Sequence, residues 1–209
     1  MNWYRHKTWT KTNQEFFFAK LGRARKDKRA QYLKIQAIEL IETKNEELLK
    51  VAESLLNKML IEYPENKFDR SSALHAMGDI YKLLHAYEKA IDYYKQSIEF
   101  EKSYPKVRTN SYLDFSELII KTNKTELFDY VESILIEELP NQIFPVSKYK
   151  IYSILSVINN INGNDQKASY YTDLANENAN AETSGLRYHK HLGLVKNRII
   201  WIDKLVNKK

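Results

Sequence analysis

The sequence contains five histidines, whose side chains could ligate a metal ion or transfer a proton near neutral pH. His189 and His191 stand two positions apart, which on a helix directs their side chains about 160° away from each other, so they cannot share an ion. His75 and His85 are separated by a predicted helix end, and His6 is distant in the sequence. The spacing of the histidines therefore predicts no metal site.

Adjacent acids occur at Glu46 and Glu47 and again at Glu137 and Glu138, a pattern typical of solvated helix faces. The sequence contains no His-Glu-x-x-His, no P-loop, no glycine-rich dinucleotide motif and no Gly-x-Ser-x-Gly. We therefore expect a non-enzymatic protein with no catalytic residues, no metal and no cofactor. A catalytic site assembled from distant residues would leave no linear motif, and that alternative stays open.

The elements that must position any site are predicted to be helices. Apolar residues make up 43% of the 209 residues and charged residues 29%, which is the balance of a globular protein. Only 5 Gly and 4 Pro are available for turns, which argues against many short strands. The predicted fold class is all-α, with about ten helices. The sequence has no cysteine, which excludes disulfides, thiolate catalysis and cysteine-bound zinc.

The N-terminal stretch MNWYRHKTWTKTNQ lacks the apolar core of a signal peptide. No run approaches the ~20 apolar residues that span a bilayer. We expect a cytoplasmic protein with no transmembrane segment. The frequent Lys, Asn, Ile and Tyr residues are typical of AT-rich genomes and favour a bacterial source.

The net charge of +6 is unevenly distributed along the chain. Residues 1–35 carry +8, residues 36–182 carry −8 and residues 183–209 carry +6. Two basic ends therefore flank an acidic central region. This distribution leaves open self-association through the ends, and it does not predict an oligomeric state.

The stretch ALHAMGDIYKLLHAYEKAIDYYKQSI, residues 73–98, predicts two consecutive helices. The residues that share one face of each helix are Leu74, Met77, Gly78 and Tyr81 in the first and Ala90, Tyr94 and Ser97 in the second. A glycine in a helix interior costs about 1 kcal/mol relative to alanine. We therefore expect that Gly78 and Ala90 are small because the two helices pack closely where they cross.

This stretch resembles the tetratricopeptide repeat, in which large-x2-Leu-Gly-x2-Tyr is followed by Ala-x3-aromatic. The second-helix pattern starts again at intervals of 38, 38 and 40 residues, at Ala52, Ala90, Phe128 and Ala168. Ser116 and Ser156 stand at the position of Gly78, whereas Phe128 departs from the small residue expected at the position of Ala90. We predict four helix pairs, over about residues 30–66, 67–104, 105–142 and 143–182. A non-repeating helical bundle is the alternative.

The resemblance implies a right-handed α-solenoid of stacked antiparallel helix pairs. It also implies a concave groove, lined by the first helix of each pair, that binds a peptide or protein partner. The side chains expected to face this groove are His75, Asp79, Lys82, Leu113, Glu117, Ile120, Lys121, Lys150, Ser153, Val157 and Asn160. The function that follows is that of a scaffold or adaptor.

Residues 1–29 form a basic, aromatic segment that we expect to contain a capping helix, opened by a capping box at Thr12 and Glu15. At least one of the three consecutive phenylalanines after Glu15 must be core, because they cannot all point one way. The alternative is binding to single-stranded nucleic acid, with rings stacking on bases and cations pairing with phosphates. The cations of this basic patch are Lys20, Arg23, Arg25, Lys26, Lys28 and Arg29.

Residues 183–209 contain an apolar stripe with helical spacing. Its members are Tyr188, Leu192, Val195, Ile199, Ile202 and Val206. The stripe predicts an amphipathic helix that caps the last pair, with Gly193 as the point where it bends. Basic residues around the stripe, including Lys208 and Lys209, leave a membrane surface or an acidic protein as alternative partners.

Overall fold

The structure, a computed structural model, describes residues 2–206. Within that range it contains ten α-helices and two short 3-10 turns, at Thr125–Leu127 and Leu139–Asn141, and no strand. The helices are α1 (Lys11–Arg23), α2 (Lys26–Ile41), α3 (Glu46–Glu62), α4 (Lys67–Leu83), α5 (Tyr87–Ser103), α6 (Ser111–Thr122), α7 (Phe128–Glu138), α8 (Pro145–Ile161), α9 (Asp165–Ala179) and α10 (Ile200–Val206). The predicted all-α class is confirmed. Lys208 and Lys209 lie outside the described residues.

The chain forms two compact units, Met1–Phe115 and Ser116–Lys209, and the division falls inside α6. In the first unit α2 packs against α3 and α4 against α5, and α4 also contacts both α2 and α3. In the second unit α8 packs against α9 and also contacts α7 and α10. Helices that are neighbours in the sequence thus pack in pairs, an arrangement compatible with a helical repeat protein.

Each turn between consecutive helices of a predicted pair contains one residue in the left-handed region. These residues are Lys44, His85, Asn123 and Gly163, with φ of 56°, 58°, 52° and 74°. In all four the backbone N–H bonds the carbonyl three residues earlier, at 3.0–3.2 Å. In the turns at His85, Asn123 and Gly163, the N–H of the following residue also bonds the carbonyl five residues before it. This second bond completes a Schellman motif. All four turns therefore use a left-handed residue to end a helix, and three of them complete the same motif although their sequences differ.

The glycine in α4 makes room for an aromatic ring from α5. A Cβ added at Gly78 would lie within 2.9 Å of three ring atoms of Tyr94. The structure therefore confirms that a small residue is needed at Gly78, and it identifies the group that needs the space as Tyr94, four residues after Ala90. In the second unit Ser156 of α8 faces the corresponding residue of α9. Its hydroxyl lies 2.8 Å from that of Thr172, which follows Ala168 by four residues as Tyr94 follows Ala90.

A glutamate links successive pairs inside each unit. In the first unit the hydroxyl of Tyr81 on α4 donates a hydrogen bond of 2.5 Å to Glu53 on α3. In the second unit the amide of Asn159 on α8 donates to Glu132 on α7 at 3.2 Å. Asn159 stands three residues after Ser156, as Tyr81 stands three residues after Gly78, and it makes the equivalent contact with a shorter side chain.

The predicted capping box of α1 is wrong by two residues. The helix begins at Lys11 because the Thr10 hydroxyl accepts from the Asn13 N–H at 3.2 Å and the Asn13 side chain accepts from the Thr10 N–H at 3.1 Å. Asn13 replaces the glutamate of the usual box. The expectation of a core phenylalanine is confirmed by Phe17, which is fully buried.

The prediction of one amphipathic helix over residues 183–209 is wrong for most of its length. Residues 181–199 form turns and bends, and only Ile200–Val206 is helical. Gly185 and Gly193 have φ of +79° and +72°, which no α-helix allows. Tyr188 and Leu192, two members of the predicted stripe, are exposed, whereas Ile202 is fully buried.

Candidate functional site

A pocket of about 430 Å³ lies between α2 and α4, the first helices of the first two pairs. Its apolar lining comes from Ile38 and Ile41 on α2 and from Ala76 and Leu83 on α4. Its polar lining residues are Glu42, Lys44, Ser72, His75, Asp79 and Lys82. Three of the predicted groove residues, His75, Asp79 and Lys82, therefore line one cavity.

The spacing of these three residues on α4 explains why they meet. Positions 75, 79 and 82 follow steps of four and three, so their side chains share one face of the helix. His75 Nδ1 lies 3.9 Å from Asp79 Oδ2, and Lys82 Nζ lies 3.5 Å from Asp79 Oδ1. The face is half-buried, which leaves the group accessible from the pocket.

Asp114 of α6 completes an ion-pair cluster that we define as His75, Asp79, Lys82 and Asp114. Its Oδ2 lies 3.0 Å from His75 Nε2, and its Oδ1 accepts a hydrogen bond of 2.7 Å from Lys82 Nζ. Because a carboxylate can only accept, the His75 Nε2–H is the donor of the first bond. The sequence did not predict Asp114 as a site residue, since nothing in it places α6 next to this face of α4.

The cluster shifts the pKa values of its members. Burial by itself would lower the pKa of His75, but the hydrogen bond to Asp114 and the charges of Asp79 and Asp114 together raise it. Burial would likewise raise the pKa of Asp114, but the hydrogen bond from His75 and the charge of Lys82 lower it to about 2. The cluster therefore favours protonated His75 and ionised Asp114 side by side.

Tyr94 connects the cluster to the helix crossing at Gly78. Its hydroxyl donates a hydrogen bond of 2.7 Å to Asp79 Oδ1, and the Lys82 ammonium lies 5.5 Å from the centre of its ring. The His75 ring also packs against it, with the ring centres 5.5 Å apart. A residue larger than glycine at position 78 would displace this ring, so Gly78 indirectly determines where Asp79 and Lys82 lie.

Several other predicted groove residues do not face solvent. Leu113 and Ile120 on α6 and Ser153 and Val157 on α8 are all buried, so their assignment to an accessible face is wrong. The error on α8 has a clear cause, because that helix is buried on nearly all sides from Ile151 to Asn159. A helix without a polar side gives no pattern from which its exposed face can be predicted.

The remaining predicted groove residues belong to the second unit. Lys150 Nζ lies 2.7 Å from Glu117 Oε1, which pairs α8 with α6. Lys121 and Asn160 are exposed. The ion pair joins two successive first helices, as the Lys82–Asp114 pair does in the first unit.

The basic patch is exposed except at one position. Lys20, Arg23, Arg25, Lys26 and Lys28 are exposed, whereas the half-buried Arg29 donates hydrogen bonds to the carbonyls of Gly22 and Ala24, at 2.6 and 3.0 Å. Arg29 thus satisfies carbonyls at the end of α1.

The aromatic residues beside the patch pack against one another. Trp3 lies with its ring centre 4.8 Å from that of Tyr32 and 5.5 Å from that of Phe17, and Trp9 lies 5.4 Å from Phe17. Phe16 is the exception, with 46% of its surface exposed. Most of these rings therefore hold the N-terminal segment on α1 and α2.

A second pocket, of about 920 Å³, lies where α2 and α4 begin. Lys26, Lys28, Glu62 and Glu65 contribute opposite charges to it, and Phe68 is 85% exposed at its edge. Although it is the larger cavity, its charged groups make no convergent cluster. The α2–α4 pocket, with its apolar lining and a defined set of polar groups, is the better candidate for recognition.

Comparison with protein-family models, with curated proteins and with solved structures finds no match to this chain. None of the helices in residues 2–206 combines the length and the apolar character that crossing a membrane requires.

Proposed function

We propose that this chain is a tetratricopeptide-like helical repeat protein that acts as a scaffold or adaptor and is not an enzyme. Its partner is a peptide or protein bound along the first helices of the pairs. The observation that carries the proposal is the α2–α4 pocket, whose apolar lining and polar edge lie between two successive first helices. The recurring left-handed turns and the Tyr81–Glu53 and Asn159–Glu132 contacts support the repeat.

The pocket offers a peptide two kinds of interaction. Half-exposed Ile38, Ile41 and Leu83 can cover one apolar side chain. Lys44 and Glu42 at the end of α2 stand opposite the cluster on α4 and can fix the direction of a peptide backbone. Apolar anchors surrounded by polar groups are the usual composition of such binding surfaces.

A bulky cation introduced at Ser72 tests the proposal. Ser72 lines the pocket and is half-buried, so Ser72→Arg fills the cavity. Ser54→Arg is the matched control, because Ser54 is exposed on α3, away from the pocket. Both variants and the unchanged protein would be screened against one displayed peptide library. We expect Ser72→Arg alone to lose the selected peptides, and equal recovery by both variants would refute the groove.

The alternative function is binding of single-stranded nucleic acid by the basic patch, and the exposure of five of its six cations favours it. Because most neighbouring rings pack against one another, we expect no binding to single-stranded RNA at low salt. Binding that weakens with salt, with a log–log slope of about −0.7 per neutralised phosphate, would overturn that expectation. Its loss in a Lys20→Glu/Arg23→Glu/Arg25→Glu variant would assign it to the patch.

A further inference from the structure

Three side chains of the ion-pair cluster are arranged as metal ligands. His75 and Asp79 lie four residues apart on α4, a spacing at which two side chains of one helix can hold one ion. Asp114 joins them from α6. One ligand atom of each side chain lies within 4.8 Å of those of the other two. In a tetrahedral site with bonds of about 2.0–2.2 Å, ligand atoms lie roughly 3.3–3.6 Å apart, so these side chains must converge by up to about 1.5 Å when an ion binds.

The donor set selects the kind of ion. One imidazole nitrogen and two carboxylate oxygens suit Zn²⁺, which accepts mixed nitrogen and oxygen ligands in tetrahedral geometry. Ca²⁺ takes six to eight oxygen ligands and Mg²⁺ takes six, so both fit a site with an imidazole poorly. The side chains of His75 and Asp79 are 21% and 30% exposed, and both residues line the α2–α4 pocket, which gives an ion and a fourth ligand access.

Lys82 is the competitor of a metal ion for the same carboxylates. Its ammonium lies 2.7 Å from Asp114 and 3.5 Å from Asp79. The side chain is long, flexible and 35% exposed, so it can turn into solvent when an ion with two positive charges enters. The zinc ion would then bring two positive charges to the carboxylates in place of the single charge of the ammonium. Its ligands would join α4 to α6 within the first unit.

From this arrangement we infer that His75, Asp79 and Asp114 form a zinc-binding site whose affinity is limited by Lys82. Zinc binding goes beyond the proposed peptide binding, and its tests do not depend on a peptide. The histidine spacing did not predict the site because its other two ligands are carboxylates, and one of them, Asp114, is 39 residues from His75 along the chain.

A calorimetric titration of the intact protein with Zn²⁺ tests the site directly. We expect one ion per chain, and we expect His75→Ala and Asp114→Asn to weaken binding at least about tenfold. His85→Ala is the matched control, because His85 is an exposed residue at the next turn and should leave the affinity unchanged. Circular dichroism would check that each variant is folded. Co²⁺ absorption should report a four-coordinate site.

The Lys82→Met substitution distinguishes zinc binding at this site from weak zinc binding elsewhere on the surface. Removing the competing ammonium should raise zinc affinity at least about tenfold, since the two carboxylates lose the cation that neutralises them. If His75→Ala fails to fold, a zinc-dependent shift of the His75 imidazole NMR signals in the unchanged protein replaces it. No zinc binding by the unchanged protein and by Lys82→Met, or equal affinity in His75→Ala, overturns the inference. None of these readouts uses a peptide.

Discussion

At the scale of single residues, the main determinant of the candidate site is a glycine, whose lack of a side chain leaves space for a neighbour. Gly78 leaves space for the ring of Tyr94, and that ring positions Asp79 through a hydrogen bond of 2.7 Å. The sequence indicates that position 78 needs a small residue, because the glycine interrupts an otherwise regular helix. It does not indicate which group fills the space.

We predict that Gly78→Ala destabilises the protein by about 1–3 kcal/mol, because the added methyl group overlaps the Tyr94 ring. Urea unfolding measures the change. Gly22→Ala is the control, since Gly22 lies in α1 with no atom within 4 Å of its added Cβ. That substitution should be neutral or stabilising by up to about 1 kcal/mol. Equal effects of the two substitutions would contradict the role given to Tyr94.

We also predict a pH-dependent contribution of His75 to stability. Its folded-state pKa is raised, so the protonated form is stabilised by folding. This contribution is fully present below the unfolded pKa of about 6.5 and is lost as pH rises through the folded pKa. The stability difference between the unchanged protein and His75→Gln should therefore shrink between about pH 5 and pH 8. A difference that is constant or grows over this interval would contradict the Asp114 contact.

The cluster shows how far the sequence determines a site. His75, Asp79 and Lys82 could be assigned to one face because helical periodicity relates residues of the same helix. Asp114 could not be assigned, since its contact depends on how α6 packs against α4. The same distinction explains Leu113 and Ser153, whose burial depends on neighbours that the periodicity of their own helices does not reveal.

At the scale of helices and turns, the four left-handed residues end the first helix of each predicted pair. Gly163 has φ of +74° and no atom within 4 Å of an added Cβ, so Gly163→Ala tests backbone strain alone. We predict a loss of about 1 kcal/mol in urea unfolding. His85 has φ of 58°, and His85→Gly should raise stability or leave it unchanged. A stabilising Gly163→Ala substitution would contradict this account of the turns.

The C-terminal helix is short and depends on one tyrosine. The Tyr149 hydroxyl donates to Asp203 at 2.7 Å and accepts from the Ile199 N–H at 3.0 Å, which holds the start of α10 on α8. We predict that Tyr149→Phe costs about 1 kcal/mol and increases hydrogen exchange in residues 199–206. Exchange in α4 and α5 serves as the internal control. Unchanged exchange in α10 would show that Ile202 alone holds the helix.

The extent of α10 could not be predicted from its periodicity. The stripe from Tyr188 to Val206 has helical spacing, but Gly185 and Gly193 adopt positive φ and end the regularity before Ile200. Gly193 also has no room for a side chain, because an added Cβ would overlap Phe144. Such a contact between residues far apart in the sequence overrides local helix propensity.

At the scale of the whole molecule, the separation of charge along the sequence is partly neutralised inside the first unit. Arg5 pairs with Glu39, Lys7 with Glu42 at 3.0 Å, and Lys34 with Asp69 at 2.7 Å. Each pair joins the basic first 35 residues to the acidic central region. These contacts use charges that self-association would otherwise employ between chains.

We therefore predict a monomer whose mass does not depend on salt. Light scattering at low and high ionic strength measures this, because attraction between opposite charges on different chains is strongest at low salt. The Arg5→Glu/Lys7→Glu variant breaks two of the internal pairs, so it tests whether these pairs keep the charges from acting between chains. A doubled mass of the unchanged protein at low salt that returns to the monomer mass at high salt would contradict this prediction and show self-association through charge.

The turn geometry also has a consequence for biosynthesis. Three or four residues are enough to reverse the chain between α2 and α3, between α4 and α5 and between α8 and α9, so little entropy is lost when each hairpin closes. A nascent chain can therefore form its first hairpin as soon as both arms have left the ribosome. The apolar sides of the early helices are then shielded before translation ends.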